Sequence, residues 1–169
     1  MVSAHPDLSS PWARLAVVGL LSRPGDDRFL LLRRVPDGVW GPPGGRLEHG
    51  EGLEDALVRE VAEETSLNIE VAGICYAYDG VHKGERVVAV SFACRTTEAE
   101  PGDPVPAAEE ADAWRWVTPA EWVALAHDGL TPWRRDDIVK ATALARHLWI
   151  VHGQSIGGST AGREAAAAD

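Results

Sequence analysis

Four glutamates, Glu51, Glu60, Glu63 and Glu64, fall in the single stretch GRLEHGEGLEDALVREVAEETSL, from Gly45 to Leu67. Residues three and four apart on a helix are neighbours, so Glu60, Glu63 and Glu64 project from one side if the segment is helical. Carboxylates gathered this way repel one another, and a helix gains nothing from the arrangement. Hard divalent cations, which take oxygen ligands, repair that cost. The cluster therefore asks for Mg²⁺, with Mn²⁺ as the alternative.

The element that must hold these acids is also readable. Gly52 can serve as an N-cap, with Glu54 and Asp55 favourable in the first turn. Leu53, Leu57 and Val61 recur every four residues and supply a stripe that can bury against a sheet. The carboxylates then occupy the other side.

The spacing resembles the Nudix box: Gly45, five residues, Glu51, seven residues, then Arg59-Glu60-Val61-Ala62-Glu63-Glu64-Thr65-Ser66-Leu67. Every defined position fits except the last glycine, which is Ser66 here. The flank Trp40-Gly41-Pro42-Pro43-Gly44-Gly45 also looks like the family's approach to its box. A glycine just past a helix commonly closes it in the left-handed conformation. Either Ser66 accepts that conformation at about 1 kcal/mol, or Asn68 takes the turn one step later.

The resemblance implies hydrolysis of a nucleoside diphosphate linked to another moiety, by attack of water on phosphorus. Glu60, Glu63 and Glu64 are the expected metal ligands, with the backbone carbonyl of Gly44 completing the set. Glu51 is expected near the cluster, directly or through water. Arg59 is expected to pair with a box glutamate and fix its rotamer, with direct phosphate contact as the alternative. The general base is Glu60 or Glu63 within the box, or a carboxylate on a later loop, where Glu109 and Glu110 lie.

Substrate contacts are less sharply marked. Trp40, Tyr76 and Tyr78 can stack on a base or sugar, or pack in the core. Arg46, Lys83 and Arg86 can meet phosphate, or be surface charges, and His49 and His82 can add hydrogen bonds. The proline that an ADP-ribose hydrolase of the family carries past its box is absent, since that region reads Asp79-Gly80-Val81-His82-Lys83. No tyrosine lies where a dinucleoside polyphosphate hydrolase would have one. The expected substrate is a nucleoside triphosphate or small nucleotide. ADP-ribose or a nucleotide sugar is the second reading, and a noncatalytic nucleotide sensor the third.

Composition bounds the rest. The chain has 169 residues, 45% apolar and 25% charged, with a net charge of −10, which suits one domain with a real core. The negative balance argues against nucleic-acid or anionic-membrane partners. No apolar run is long enough to span a bilayer. The start MVSAHPDLSS lacks a signal-peptide core, so the expected location is cytoplasmic. Cys75 and Cys94 fall in apolar, strand-like runs and read as core thiols. A homodimer is an expectation from the resemblance.

The pattern predicts strands over 14–21, 28–35, 68–78, 86–95 and 113–117, and an acidic, proline-rich loop over 98–112. Thr118-Pro119 with Glu121 reads as a capping box, and a second long helix is predicted over 136–151. The order of elements suggests an α/β protein with a mixed sheet, and the resemblance implies an α/β/α sandwich of the Nudix type. Residues 1–11 form an N-terminal arm, 12–152 the domain, and 153–169 a Gly/Ala-rich disordered tail.

Overall fold

The computed structural model describes residues 13–160 except 24, 26, 83 and 99–101. The expected arm 1–11, Lys83, the His82 side chain and residues 161–169 lie outside the described residues. The elements are β1 (Arg14–Ser22), β2 (Phe29–Arg34), β3 (Trp40–Gly41), α1 (Leu53–Thr65), β4 (Ile69–His82), β5 (Glu85–Thr96), β6 (Ala111–Val117), α2 (Pro119–His127) and α3 (Arg135–Thr160).

The sheet runs β3-β2-β1-β5-β4, with β6 on β2. It is mixed, because β1 pairs in parallel with β5 from Arg14↔Val87 to Ser22↔Arg95 while the other pairings are antiparallel. Helix α1 covers one face and α2 and α3 the other. Alternation along the strands divides the apolar side chains between them. Val17, Leu21, Leu30, Phe92 and Cys94 meet Leu57 and Val61 of α1. Leu20, Leu31 and Ala93 meet Trp122, Ile138 and Ala145 on α2 and α3. This is the α/β/α sandwich that the order of elements suggests and the resemblance implies.

β1 and β2 register at Ser22↔Phe29, and the glycine loop lies beside β1. Val17 N–H donates to Gly45 O (2.9 Å) and Gly19 N–H to Pro43 O (2.8 Å), and Ala16 bridges Arg46. The loop before the glutamates is therefore tied to the sheet rather than left on the surface.

Several boundaries differ from the pattern. Asp79-Gly80, outside the strands expected over 68–78 and 86–95, belongs to β4, because Gly80 packs under the Tyr78 ring, where a Cβ would collide, and Asp79 pairs with Arg86 across β4 and β5. Helix α3 passes Val151 and continues through His152-Gly153 to Thr160. An interior glycine costs only about 1 kcal/mol, too little to stop it. Gln154–Thr160 of the expected tail are thus helical.

The caps follow the sequence. Gly52 is the N-cap of α1. Thr118 Oγ1 accepts from Glu121 N–H (3.2 Å) while Glu121 Oε2 accepts from Thr118 N–H (2.7 Å). Ser66 itself takes the left-handed turn at φ 58°, with its N–H donating to Ala62 O, so Asn68 is not needed. Trp122 is fully buried, and Trp114, Trp116 and Trp133 pack against the two cores. They form no exposed interaction cluster. Cys75 and Cys94 are buried free thiols. Among the described residues no helix is long and apolar enough to cross a membrane.

Candidate active site

Two glycines bring α1 against β1. A Cβ on Gly44, which holds φ 149°, would collide with the Val17 carbonyl, and one on Gly45 would overlap the Glu60 carboxylate. Pro43 and Gly45 spend their carbonyls on β1, while Gly44 turns its N–H toward the helix and donates to Glu64 Oε2 at 2.7 Å. Glu60 and Glu64 are thereby seated against bare backbone.

On the outer side of the helix, Arg59 forms a hub. Its Nε and Nη2 clasp Glu51 Oε1 and Oε2 at 2.8 and 2.9 Å, and Nη2 also donates to Arg46 O (3.1 Å). Its Nη1 reaches Glu60 Oε1 at 3.1 Å and Glu63 Oε2 at 3.2 Å. The guanidinium and the Glu48 N–H hold the Glu51 carboxyl down at about 2. Glu51, expected beside the metal cluster, instead has both oxygens occupied in orienting Arg59. Arg59 thus pairs with three glutamates of the box, Glu51, Glu60 and Glu63.

Glu63 does not join Glu60 and Glu64. Each residue turns a helix by about 100°, so Glu60 and Glu64 share a stripe and Glu63 lies off it. Its side chain is 62% exposed, against 15% for Glu60, and rests on Arg59.

The inner pair is electrostatically uneasy. Burial pushes the Glu64 carboxyl up to about 8. The charges of Glu110 and Glu60 push the same way, against the relief supplied by the Gly44 N–H. Burial also raises Glu60, which Arg59 pulls back and the charges of Glu63 and Glu110 oppose. Glu110, in the turn just before β6, therefore faces these two across the cleft. Glu109 does not line it.

No three His, Cys, Asp or Glu side chains among the described residues stand at ligating distance of one point as they are. The donor set nevertheless fits a hard divalent cation. It consists of partly buried carboxylates whose negative charges oppose one another, so that burial and the neighbouring acids raise the Glu64 and Glu60 carboxyls above their ordinary range.

These carboxylates open into a cavity of about 700 Å³, lined also by Gly44, Gly45, Arg46, Arg14, Arg34, Tyr76, Tyr78, Trp133 and Asp137. Of the expected substrate contacts, Arg46, Tyr76 and Tyr78 line it. Trp40 does not, because its ring stacks against the Arg115 and Arg33 guanidiniums, 4.1 and 5.8 Å from the centroid. Arg86 does not either, being paired with Asp79. Arg14, Arg34, Trp133 and Asp137 are residues that sequence reasoning missed. For Trp133, the one available signal was a large aromatic in a proline-containing connection, Thr131-Pro132-Trp133, where a core residue is not required. Arg14 and Arg46 both reach Glu85, at 2.8 and 3.3 Å.

Residues 12–138 match the family model of the NUDIX domain. Over 113 residues the chain is 35% identical to a MutT-like protein of Streptomyces ambofaciens, an alignment covering 67% of this chain and 69% of that one. It is 34% identical over 83 residues to an ADP-ribose pyrophosphatase of Methanocaldococcus jannaschii, covering 46% of this chain and 48% of that protein, so it spans about half of that relative. It is also similar to the crystal structure of the MutT NUDIX hydrolase from Burkholderia pseudomallei, with 29% identity, a TM-score of 0.55, and coverage of 64% of this chain and 85% of that one.

Proposed function

The chain belongs to the Nudix family of pyrophosphohydrolases, and from that premise we propose that it is a Mg²⁺-dependent hydrolase of nucleoside triphosphates or small nucleotides. The observation that carries the reading is the part-buried Glu64 carboxylate, facing Glu60 and Glu110 and seated on the Gly44 N–H. A binding module with no cation has no reason to keep three like charges at one end of its cavity.

In this reading Glu60 and Glu64, with the Gly44 carbonyl, hold the cation, and Glu63 would have to leave Arg59 to join them. The bound ion supplies positive charge to the phosphates and lowers the pKa of a coordinated water. Arg59 keeps Glu60 in one rotamer, and Glu51 keeps Arg59 in place. Glu110 is the proposed base that takes the proton of the attacking water. Its position opposite Glu64 supports that role, and the alternative bases, Glu60 and Glu63, both contact Arg59. Arg14, Arg34 and Arg46 line the same cavity and suit the phosphate chain.

The 34% match to an ADP-ribose pyrophosphatase keeps a nucleoside diphosphate sugar as the second reading. A panel of nucleoside triphosphates, ADP-ribose and nucleotide sugars, assayed for phosphate and pyrophosphate release with Mg²⁺, separates the two. Release from none of them would leave only a nucleotide sensor. Glu110→Gln should lower turnover by about 10²-fold or more while cation binding stays within a few-fold. Undiminished turnover removes Glu110 from the mechanism. A cytoplasmic location, where both thiols stay reduced, and a homodimer, checked by sedimentation, belong to the same proposal.

A further inference from the structure

If phosphates sit at Glu60 and Glu64, the sheet sets where the rest of a nucleotide can reach. The glycine loop, β1, β5 and β4 follow one another across the sheet. Neighbouring strands lie about 4.8 Å apart, so the β4 end of the cavity is roughly 14 Å from the loop, about the reach of an extended nucleotide. The floor between is made of two registered rows, Ala16-Ala89-Tyr78 and Val18-Ser91-Tyr76. Its small side chains leave room for a planar ring.

At that far end the cavity changes character. Trp133 stands 6.3 Å from the Tyr76 ring and is backed by the buried Trp122 at 5.1 Å, so its position is fixed by packing. The Tyr76 hydroxyl donates to Asp137 Oδ1, which leaves Oδ2 and the remaining lone pairs of the carboxylate for another donor. In the floor, Ser91 is 1% exposed and its hydroxyl has no hydrogen-bond partner. A buried hydroxyl left unmade costs free energy, and Ser91 lines the cavity. No step assigned above uses Ser91, Tyr76, Trp133 or Asp137.

We propose that Tyr76, Trp133, Asp137 and Ser91 form a base-reading subsite that takes guanine in preference to adenine. This rests on the nucleotide reading of the cavity. A carboxylate only accepts, so it matches a ring edge bearing adjacent donors. Guanine presents two, the ring N1–H and the exocyclic amino group, whereas adenine sets an acceptor nitrogen beside its amino group and leaves one interaction repulsive. Trp133 and Tyr76 supply the stacking faces, and Ser91 completes a contact from the floor.

The test is metal-free binding of GMP and AMP, whose phosphate terms cancel in the ratio, read by tryptophan fluorescence or calorimetry. GMP should bind roughly ten- to a hundredfold more tightly, the discrimination of a bidentate pair. Asp137→Asn offers a donor beside an acceptor and should erase or invert the ratio. Ser91→Ala should weaken GMP several-fold while the melting temperature stays equal or rises, which a purely structural serine would not do. Equal affinities in the wild type, or an unchanged ratio in Asp137→Asn, overturn the subsite. Turnover of GTP and ATP without preference also overturns it but leaves the hydrolase reading standing. Preference for GMP with no turnover of any nucleotide keeps the subsite and overturns the hydrolase reading.

Discussion

The two sides of α1 carry the same residue type in opposite electrostatic states. On the outer side, Glu51 and Glu63 rest on Arg59, and Glu51 is held ionised far below neutrality. On the inner side, Glu64 has one backbone N–H, two like charges nearby and little water, and its carboxyl is pushed up to about 8. Glu60 lies between, touched by Arg59 yet raised by burial. The contrast teaches that the box holds two arrangements side by side, an ion-pair hub around Arg59 and a part-buried group of carboxylates whose charges oppose one another.

The sharpest way to break the comparison is Glu64→Gln. Loss of a cation ligand should lower pyrophosphate release by about 10³-fold, equivalent to the several kcal/mol an ion supplies. The fold should not weaken near neutral pH, because glutamine is neutral in that site without taking up a proton. Near-wild-type turnover in this variant would sink the ligand assignment.

Next in size is the pH dependence of stability without metal. The Glu64 carboxyl ordinarily titrates near 4.5 and is raised to about 8 in the fold, so between those values the folded chain binds the extra proton. Stability contributed by that proton is full below 4.5 and is lost as pH rises through 8, by up to roughly 4–5 kcal/mol. Urea titrations in chelator across this range should show the fall, Mg²⁺ should flatten it, and so should Glu64→Gln. A flat profile in chelator would mean that the inner side is not strained.

Arg59→Ala attacks the outer side and should cost about 1–3 kcal/mol in urea denaturation, since it frees three carboxylates of a part-buried hub. It should also remove an acid-side dependence. Glu51 is lowered from 4.5 to about 2, so its contribution is present above 4.5 and lost as pH falls toward 2. An unchanged acid limb in Arg59→Ala would break the pairing.

The smallest effect is expected for Glu63→Gln, within about 0.5 kcal/mol in stability, as for an exposed pair, and within a few-fold in turnover. A loss as large as that of Glu64→Gln would show that Glu63 leaves Arg59 to bind the cation.

Much of the architecture was legible because it repeats locally. The four-residue spacing of Leu53, Leu57 and Val61, the Gly52 cap and the Thr118-Glu121 box each encode their own helix. Strand ends were less legible. Asp79-Gly80 carries a turn composition, yet the Tyr78 ring and Arg86 hold it in β4, partners that composition does not show. The same holds for Trp40, an aromatic in the right neighbourhood whose ring is claimed by Arg33 and Arg115.

By itself the sequence determined the family and the helix that bears the carboxylates, because spacing along one chain dictates which side chains share a helix face. Only the tertiary structure decided which of those carboxylates is buried, that Glu51 serves Arg59, that Glu110 faces Glu64, and that Trp133 and Asp137 meet Tyr76. Those outcomes depend on segments far apart in the chain being brought together by sheet pairing and core packing. Burial and neighbouring charge, which set the state of each glutamate, exist only once that packing is complete.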